Sequence, residues 1–213
     1  MLKSILNFKT ALMAPLIKRV IKHPKLMESK LFMKAMILFP ERISGSYDAK
    51  IEKSRVAYHA ALLEGLEQVK YYPKKILDLC TGTGLAAFMA ADRFPLASIV
   101  GLDQSRGMVD IAQGKIPDAD KKRIRFESGN AADLSCGDAE FNLIVTSNAP
   151  VYLSEAARVL TPGGDILVTF SFGGKAFENA RGEIISLLDD NGLFLVNLQS
   201  VGKGVFILGQ KKQ

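Results

Sequence analysis

The sequence is poor in the residues that hold small or metal-bound folds together. It has 2 cysteines and 2 histidines among 213 residues, at Cys80, Cys136, His23 and His59. So few and so scattered, they exclude a disulfide-stapled fold and give no ligand set for a zinc or iron–sulfur site. The apolar runs are shorter than the roughly 20 residues that a membrane-spanning helix needs. The first apolar stretch is interrupted by lysines, which is not the pattern of a secretory signal.

What is present is the composition of an ordinary globular domain. Hydrophobic residues make up 48% of the chain and charged residues 23%, which is enough apolar material to bury a core. The charge is unevenly distributed, because residues 1–75 hold 15 Lys+Arg and 6 Asp+Glu, whereas residues 76–213 hold 13 and 16. A basic N-terminal third on a mildly acidic body indicates a part that faces something anionic, or a solvated helix face.

The first 46 residues are predicted as a basic amphipathic helical cap or arm. Apolar residues recur there at helical spacing with lysines between them, and Pro15, Pro24 and Pro40 divide the segment. Its apolar face either packs on the rest of the protein or lies on a membrane surface through residues 1–40. The low cysteine content fits a reducing cytoplasm, so we expect a cytoplasmic protein that could sit at the membrane periphery.

From residue 47 onward, strand and helix patterns alternate. Alternation of this kind predicts an α/β fold, a doubly wound, mostly parallel sheet of seven strands that is Rossmann-like. The last two strands are separated only by Gly202 and Lys203, a connection too short for a parallel crossover, so they should form an antiparallel hairpin. Strands are expected at 76–80, 98–102, 124–127, 141–146, 165–172, 193–201 and 204–209, and helices at 48–69, 85–94, 106–115, 151–160 and 176–190.

A glycine turn after the first strand is the central motif. Gly82 and Gly84 let a ligand approach the backbone, and the following helix offers free N–H groups to it. Asp103 ends the next strand, 21 residues after Gly82, where a carboxylate can accept hydrogen bonds from both hydroxyls of a ribose. Together these residues predict a site for an adenosine-containing ligand at the carboxyl edge of the sheet.

Two adenosine cofactors compete for this motif. Residues 82–87 satisfy the dinucleotide spacing G-x-G-x-x-A. Asp78, four residues before Gly82, would repel a pyrophosphate, whereas it would attract the ammonium and sulfonium groups of S-adenosylmethionine. The sequence therefore favours S-adenosylmethionine over NAD(P).

Five segments resemble the class I S-adenosylmethionine-dependent methyltransferases, and the Thr-Gly-Thr-Gly turn is similar to the quinone-biosynthesis or type 11 group. They are residues 77–84, 100–108, 126–134, 141–148 and 160–164. Cys80 stands where the family often has Gly or Ala, and Asn130 where Asp is commoner. The resemblance implies a methyltransferase domain over residues 47–213 and a set of cofactor-binding residues: Asp78, Cys80, Gly82, Thr83, Gly84, Asp103, Gln104, Met108, Asn130, Ala131 and Ser147.

The expected reaction is an in-line displacement of the sulfonium methyl by a nucleophile of the acceptor, with no obligatory metal. Tyr47, His59 and Tyr152 are the candidate catalytic or acceptor-binding residues, and Ser147 and Asn148 should lie near the transferring methyl. The Asn148-Ala149-Pro150 run departs from the Asn-Pro-Pro-Tyr signature of nucleobase and glutamine N-methylation.

Four functions remain open at this stage. The favoured one is methyl transfer to a small-molecule or lipid-like acceptor, which suits the apolar and basic N-terminal segment. The alternatives are a non-catalytic cofactor-binding partner subunit, an RNA methyltransferase and, last, an NAD(P)-dependent oxidoreductase. Nucleic acid is disfavoured as a partner because no basic patch is interleaved with aromatic residues.

Overall fold

The computed structural model describes residues 55–213, with side chains described from His59 onward. The predicted cap, residues 1–46, and the candidate Tyr47 lie outside the described residues. The helices are α1 (Arg55–Gln68), α2 (Leu85–Arg93), α3 (Arg106–Gly114), α4 (Leu153–Val159), α5 (Gly174–Asn179) and α6 (Arg181–Asp189), with a short 3-10 helix at Asp118–Asp120. The strands are β1 (Lys75–Leu79), β2 (Ser98–Asp103), β3 (Ile124–Ser128), β4 (Phe141–Ser147), β5 (Leu160–Phe170), β6 (Leu193–Val201) and β7 (Gly204–Lys211).

These strands form one sheet of 7 strands in the order β3-β2-β1-β4-β5-β7-β6. Strands β1 to β5 run parallel, and β7 lies antiparallel between β5 and β6. The predicted seven-stranded sheet and its antiparallel final hairpin are confirmed. After β1 the chain moves outward to β2 and β3 and then returns to the other side of β1 for β4. This reversal is a topological switch point, the place where such sheets bind ligands beyond the carboxyl ends of their strands.

Apolar side chains alternate between two cores on opposite faces of the sheet. Ile76 belongs to the core under α1, α2 and α3, whereas Leu77 belongs to the core under α4, α5 and α6. A strand buried on both faces reads as an unbroken apolar run, which is why the strands were recognisable from the sequence.

Two predicted elements differ from the structure by more than two residues or in number. The single helix expected at 176–190 is two helices, α5 and α6, which meet at Ala180, a buried residue with non-helical φ −98° and ψ 20°. The break lets Phe177 stack on Phe170 of β5 at 4.9 Å while α6 packs on β6.

Strand β5 also begins earlier than expected. Leu160 pairs with Phe141, and the next pair is Asp165 with Leu143, so residues 161–164 bulge out of the strand. Gly163 takes a positive φ of 73° there. The Thr-Pro-Gly-Gly turn is therefore a bulge within β5 rather than a connection before it. Within residues 55–213, no helix is both long enough and apolar enough to cross a bilayer.

Candidate active site

The loops that follow β1, β2, β3 and β4 meet at the carboxyl edge of the sheet. The Gly129 N–H, after β3, donates to the Asp103 carbonyl oxygen at 3.0 Å, and the Thr81 N–H, after β1, donates to the Leu102 carbonyl oxygen at 3.0 Å. Backbone hydrogen bonds thus join three of the four loops. The structure brings together the residues that the sequence analysis placed in separate motifs.

The turn after β1 depends on left-handed backbone conformations. Gly82 and Gly84 have φ values of 55° and 89°, and Cys80 has a φ of 57°. An L-residue in this region is strained, which is consistent with Gly at the Cys80 position in the resembling family. Desolvation raises the pKa of the half-buried Cys80 thiol to about 12, and the nearby Asp103 and Asp78 carboxylates add to the rise. The thiol is therefore protonated at neutral pH and is not poised as a nucleophile.

Open space faces one of the two glycines. Apart from Gly82 itself and its two chain neighbours, no described residue has an atom within 4 Å of the point where a Gly82 Cβ would be, whereas a Gly84 Cβ would meet Phe88 and Phe126 at 2.8 Å. Gly84 is needed for packing, since the two rings contact each other edge-on at 5.5 Å. Gly82 instead borders an open space beside the Asp103 carboxylate, here called the cradle, which leaves room for a ligand to approach the backbone.

Asp103 stands beside that cradle. Its Oδ2 accepts a hydrogen bond from the Gly82 N–H at 2.8 Å, and its Oδ1 accepts one from the Ser105 N–H at 2.9 Å. The side chain is only half-buried, and a carboxylate offers about four acceptor positions. Asp103 can therefore hold the glycine turn and still accept hydrogen bonds from a ribose.

Asp78 is placed differently from what we expected of a residue that faces an ammonium group. It is 1% exposed, and its Oδ2 accepts hydrogen bonds from the Thr81 hydroxyl at 2.5 Å and the Ala87 N–H at 3.0 Å. Desolvation raises its pKa to about 7, against the opposing effect of those two hydrogen bonds. Asp78 thus ties the turn to the first turn of α2, and a contact of its other oxygen with a ligand stays a prediction.

The predicted adenine contacts surround the same edge. Met108 is buried on α3, which is capped by the Ser105 side chain, and Gln104 is exposed beside it. In the loop after β3, Ala131 is buried and Asn130 is exposed, with its Oδ1 accepting from the Ala132 N–H at 3.0 Å. The roles of these four residues toward adenine stay predictions, as does that of Thr83, which lies half-buried in the glycine turn.

A clamp that the sequence analysis missed holds the loop after β3. Arg158 of α4 donates to the carbonyl oxygens of Leu134 and Cys136, both at 2.9 Å, and to carboxylates of Asp138 and Glu155. Glu155 also accepts from the Leu134 N–H at 2.8 Å. The side-chain hydrogen bond from Arg158 lowers the pKa of Glu155 to about 2. The i,i+3 spacing of Glu155 and Arg158 signals a helical ion pair, but nothing local indicates the loop contacts.

A polar cluster lies where β4 and β5 end. It contains Ser147, Asn148, Thr169 and Ser171, joined by side-chain hydrogen bonds. Tyr152 is buried nearby, and desolvation raises its pKa to about 12, with a smaller contribution from Cys80. Ser147, two residues after the β1 partner Val145, and Tyr152, which interacts with Cys80, thus both lie near the end of β1.

His59 is buried near the start of α1. Ala61, two residues further along α1, packs at the end of β5, with its Cβ 3.2 Å from the position of a Gly204 Cβ, beside the Phe170 carbonyl. The role of His59 as a base stays a prediction. Among the described residues, no group of three or more His, Cys, Asp or Glu is placed to hold a metal ion.

The described residues form a Rossmann-like sheet in which the glycine turn after β1, the acid at the end of β2 and the reversed last strand are arranged as the resemblance to S-adenosylmethionine-dependent methyltransferases implied. Residues 76–164 match the family model described as a methyltransferase domain. These residues, fewer than half of the 213 in the chain, include the five segments whose motifs resemble that class.

Two curated relatives and one solved structure show how far the similarity extends. The chain is 38% identical over 100 residues to demethylmenaquinone methyltransferase of Lactococcus lactis, covering 43% of this chain and 40% of the relative. It is 38% identical over 109 residues to demethylmenaquinone methyltransferase of Deinococcus radiodurans, covering 48% and 45%. The chain therefore spans less than half the length of these two relatives. The fold is similar to that of a SAM-dependent methyltransferase from Aquifex aeolicus, with a TM-score of 0.60 and 19% identity over 76% of this chain and 97% of that one.

Proposed function

We propose that the protein is an S-adenosylmethionine-dependent methyltransferase whose acceptor is a small, lipid-like ring compound of the quinone type. The proposal rests on one observation above the others, the open cradle at Gly82 whose N–H binds the Asp103 carboxylate at 2.8 Å. The acceptor class is supported by the name of the two relatives, demethylmenaquinone methyltransferase.

The residues of this chain divide the work of binding and alignment. S-adenosylmethionine, when bound, supplies an electrophilic methyl group. Gly82 leaves room for the methionine end, Asp103 accepts from the ribose hydroxyls, and Met108 packs beside adenine. Ser147 and Asn148 face the acceptor from the end of β4. Holding both reactants aligned and away from water supplies most of the rate in such a displacement.

Of the two acids at this edge, only Asp78 disfavours the oxidoreductase alternative. Asp103 suits either cofactor, because an acid at the end of β2 binds ribose in dinucleotide sites as well. A pyrophosphate at the glycine turn would lie close to Asp78, with unfavourable charge. The partner-subunit alternative predicts cofactor binding without methyl transfer. No feature of the described residues favours an RNA acceptor, and membrane contact through residues 1–40 stays a prediction.

The test compares two glycines that both have a positive φ, a conformation that is strained for alanine. Gly82 and Gly163 have positive φ values of 55° and 73°, and beyond their own chain neighbours no described residue has an atom within 4 Å of either Cβ position. Each Gly→Ala change should cost about 1–2 kcal/mol of folding free energy. Only Gly82→Ala should also weaken S-adenosylmethionine binding by calorimetry, about tenfold or more, because its methyl enters the cradle.

Three outcomes distinguish the proposals. Equal cofactor affinity in the Gly82→Ala and Gly163→Ala variants would contradict the placement of the ligand. A rise in Tm with NAD(P) but not with S-adenosylmethionine would favour the oxidoreductase. Tight S-adenosylmethionine binding without methyl transfer to reduced quinones, phenols, amines or RNA would favour the partner subunit.

A further inference from the structure

Asn148 follows β4 in a fixed and unusual conformation. Its φ is 53°, a left-handed value that Asn tolerates better than most residues. Its N–H donates to the Thr169 carbonyl oxygen at 2.8 Å. Its Oδ1 accepts from the Ser171 N–H at 2.8 Å and from the Ser171 hydroxyl at 2.9 Å. Both the backbone and the side chain are therefore held by β5.

These hydrogen bonds determine which of the two terminal atoms of the Asn148 side-chain amide is the oxygen and which is the nitrogen. A backbone N–H can only donate, so the amide atom that faces Ser171 must be the oxygen. The Nδ2 group is therefore on the opposite side, where it lies 3.4 Å from the Ser147 Oγ. Two N–H donors of the amide are directed away from β5, and one of them is at most weakly used by Ser147.

Ser147 presents a second donor at the same place. Its Oγ accepts from the buried Thr169 hydroxyl at 3.0 Å and from Asn148. Either hydroxyl of the Ser147–Thr169 pair can donate to the other, and when Thr169 donates, the Ser147 hydroxyl hydrogen is available to a ligand. Ser147 and Asn148 are half-buried, so a ligand can reach both of them.

Two aromatic residues follow the donor pair and the end of β5. Tyr152 is buried four residues after Asn148, and the partly buried Phe172 packs on the same hydrophobic cluster. Phe172 also contacts Phe170, with ring centroids 5.8 Å apart. We expect a flat ring compound to pack against these aromatic residues with its polar atom toward the two donors.

We propose that Asn148 Nδ2 and the Ser147 hydroxyl determine acceptor specificity by donating to one oxygen of the acceptor, a carbonyl or a phenolate. An amine would turn its own N–H groups toward these donors, and the amide oxygen that could accept from an amine is occupied by Ser171. The pair therefore selects oxygen-bearing rings over amino-bearing rings. This inference rests on the proposed function, since it concerns the acceptor side of the same site.

The test uses 1-naphthol and 1-naphthylamine as matched probes. Their affinities are measured by calorimetry on the complex with S-adenosylhomocysteine, so that no turnover is needed. The wild type should bind 1-naphthol about tenfold or more tighter than 1-naphthylamine, because mismatched buried polar groups are costly. Asn148→Asp keeps an oxygen toward Ser171 and replaces Nδ2 by an acceptor, so it should abolish or reverse the preference.

Asn142→Asp is the matched control. The Asn142 Oδ1 also accepts from two backbone N–H groups, those of Lys74 and Lys75, each at 3.0 Å, but at the opposite edge of the same strand. This variant should keep the wild-type preference. Equal affinities for the two probes in the wild type, no binding of either, or an unchanged preference in Asn148→Asp would overturn the inference. If the wild type does not bind S-adenosylhomocysteine, that result would instead contradict the proposed function.

Discussion

Asp78 and Asp103 lie at the carboxyl ends of neighbouring strands, but their carboxylates make different interactions. Asp103 remains half-buried, and both of its oxygens hold backbone N–H groups while keeping acceptor capacity. Asp78 is fully enclosed and is bound to Thr81 and Ala87. Asp103 is therefore suited to bind a ligand, whereas Asp78 stabilises the conformation of the glycine turn.

The enclosure of Asp78 predicts a pH dependence of stability. Its pKa rises from 3.8 to about 7 on folding, so between these values the folded state binds a proton that the unfolded state has lost. The stabilisation from that proton is complete below pH 3.8 and is lost as the pH rises to about 7. Asp78→Asn has no such titration. The difference in free energy of unfolding, variant minus wild type, should therefore increase as the pH rises from 3.8 to about 7 in urea titrations.

Asp165 provides a comparison in the same protein. Desolvation raises its pKa to about 6, against the effect of a hydrogen bond from Gln210. Asp165→Asn should therefore show the same kind of gain, but one that levels off near pH 6 rather than 7. Stability curves of Asp78→Asn and wild type that run parallel from pH 4 to 7 would contradict the assignment of the titration to Asp78.

At this scale the sequence predicted which residues meet, but not how each is used. The order Asp78, Gly82, Gly84 and Asp103 places them at one edge as soon as the sheet is parallel. The hydrogen-bond partners of the Asp78 carboxylate depend on how the glycine turn folds back on α2. The hydrophobic periodicity of the sequence does not predict this fold of the turn. The polarity of the Asn148 amide likewise depends on Ser171, which is 23 residues away.

Among the elements, α4 does more than cover the sheet. Through Arg158 and Glu155 it anchors the loop between β3 and β4, which carries the predicted adenine contacts Asn130 and Ala131. The four Arg158 partners include two backbone carbonyl oxygens that would otherwise need water. The position of this loop, which precedes β4, is therefore set by a helix that follows β4 in the sequence.

Arg158→Ala should loosen the loop and weaken cofactor binding together. We expect faster hydrogen exchange at the Leu134 N–H, whose acceptor Glu155 loses its own partner, and a several-fold rise in the Kd of S-adenosylhomocysteine. Arg125→Ala is the control, because Arg125 forms an exposed ion pair with Glu127 at 2.5 Å and exposed pairs contribute little. A slower-exchanging or unchanged Leu134 N–H in Arg158→Ala would rule out the clamp.

Element boundaries show where local patterns stop being informative. Strands β1 and β4 were recognisable because burial on both faces leaves an unbroken apolar run. The division of residues 174–189 into α5 and α6 was not, because the stacking of Phe177 on Phe170 is a contact between distant segments. The bulge at residues 161–164 also follows from pairing with β4, not from the turn residues alone.

For the whole molecule, connectivity was the most predictable property. A two-residue link at Gly202 and Lys203 left only an antiparallel hairpin, and the alternation of strands with helices indicated a mostly parallel sheet. The order of the strands in the sheet comes from the structure alone. The uneven charge is also a property of the whole chain, and it leads to a separate prediction about residues 1–40.

If the basic segment docks on a membrane, the full chain should cosediment with vesicles that contain anionic lipid and should be released by salt. Changing Lys18, Arg19 and Lys22 to Glu should weaken this binding on the order of a hundredfold, since each basic residue near the surface contributes about 1 kcal/mol. The control changes the exposed Lys122, Lys175 and Lys203 to Glu, which alters net charge equally but on the described domain. Equal losses in both variants would show only a general charge effect. A wild-type chain that stays in the supernatant would favour the cap, whose apolar face is then already covered by the protein itself.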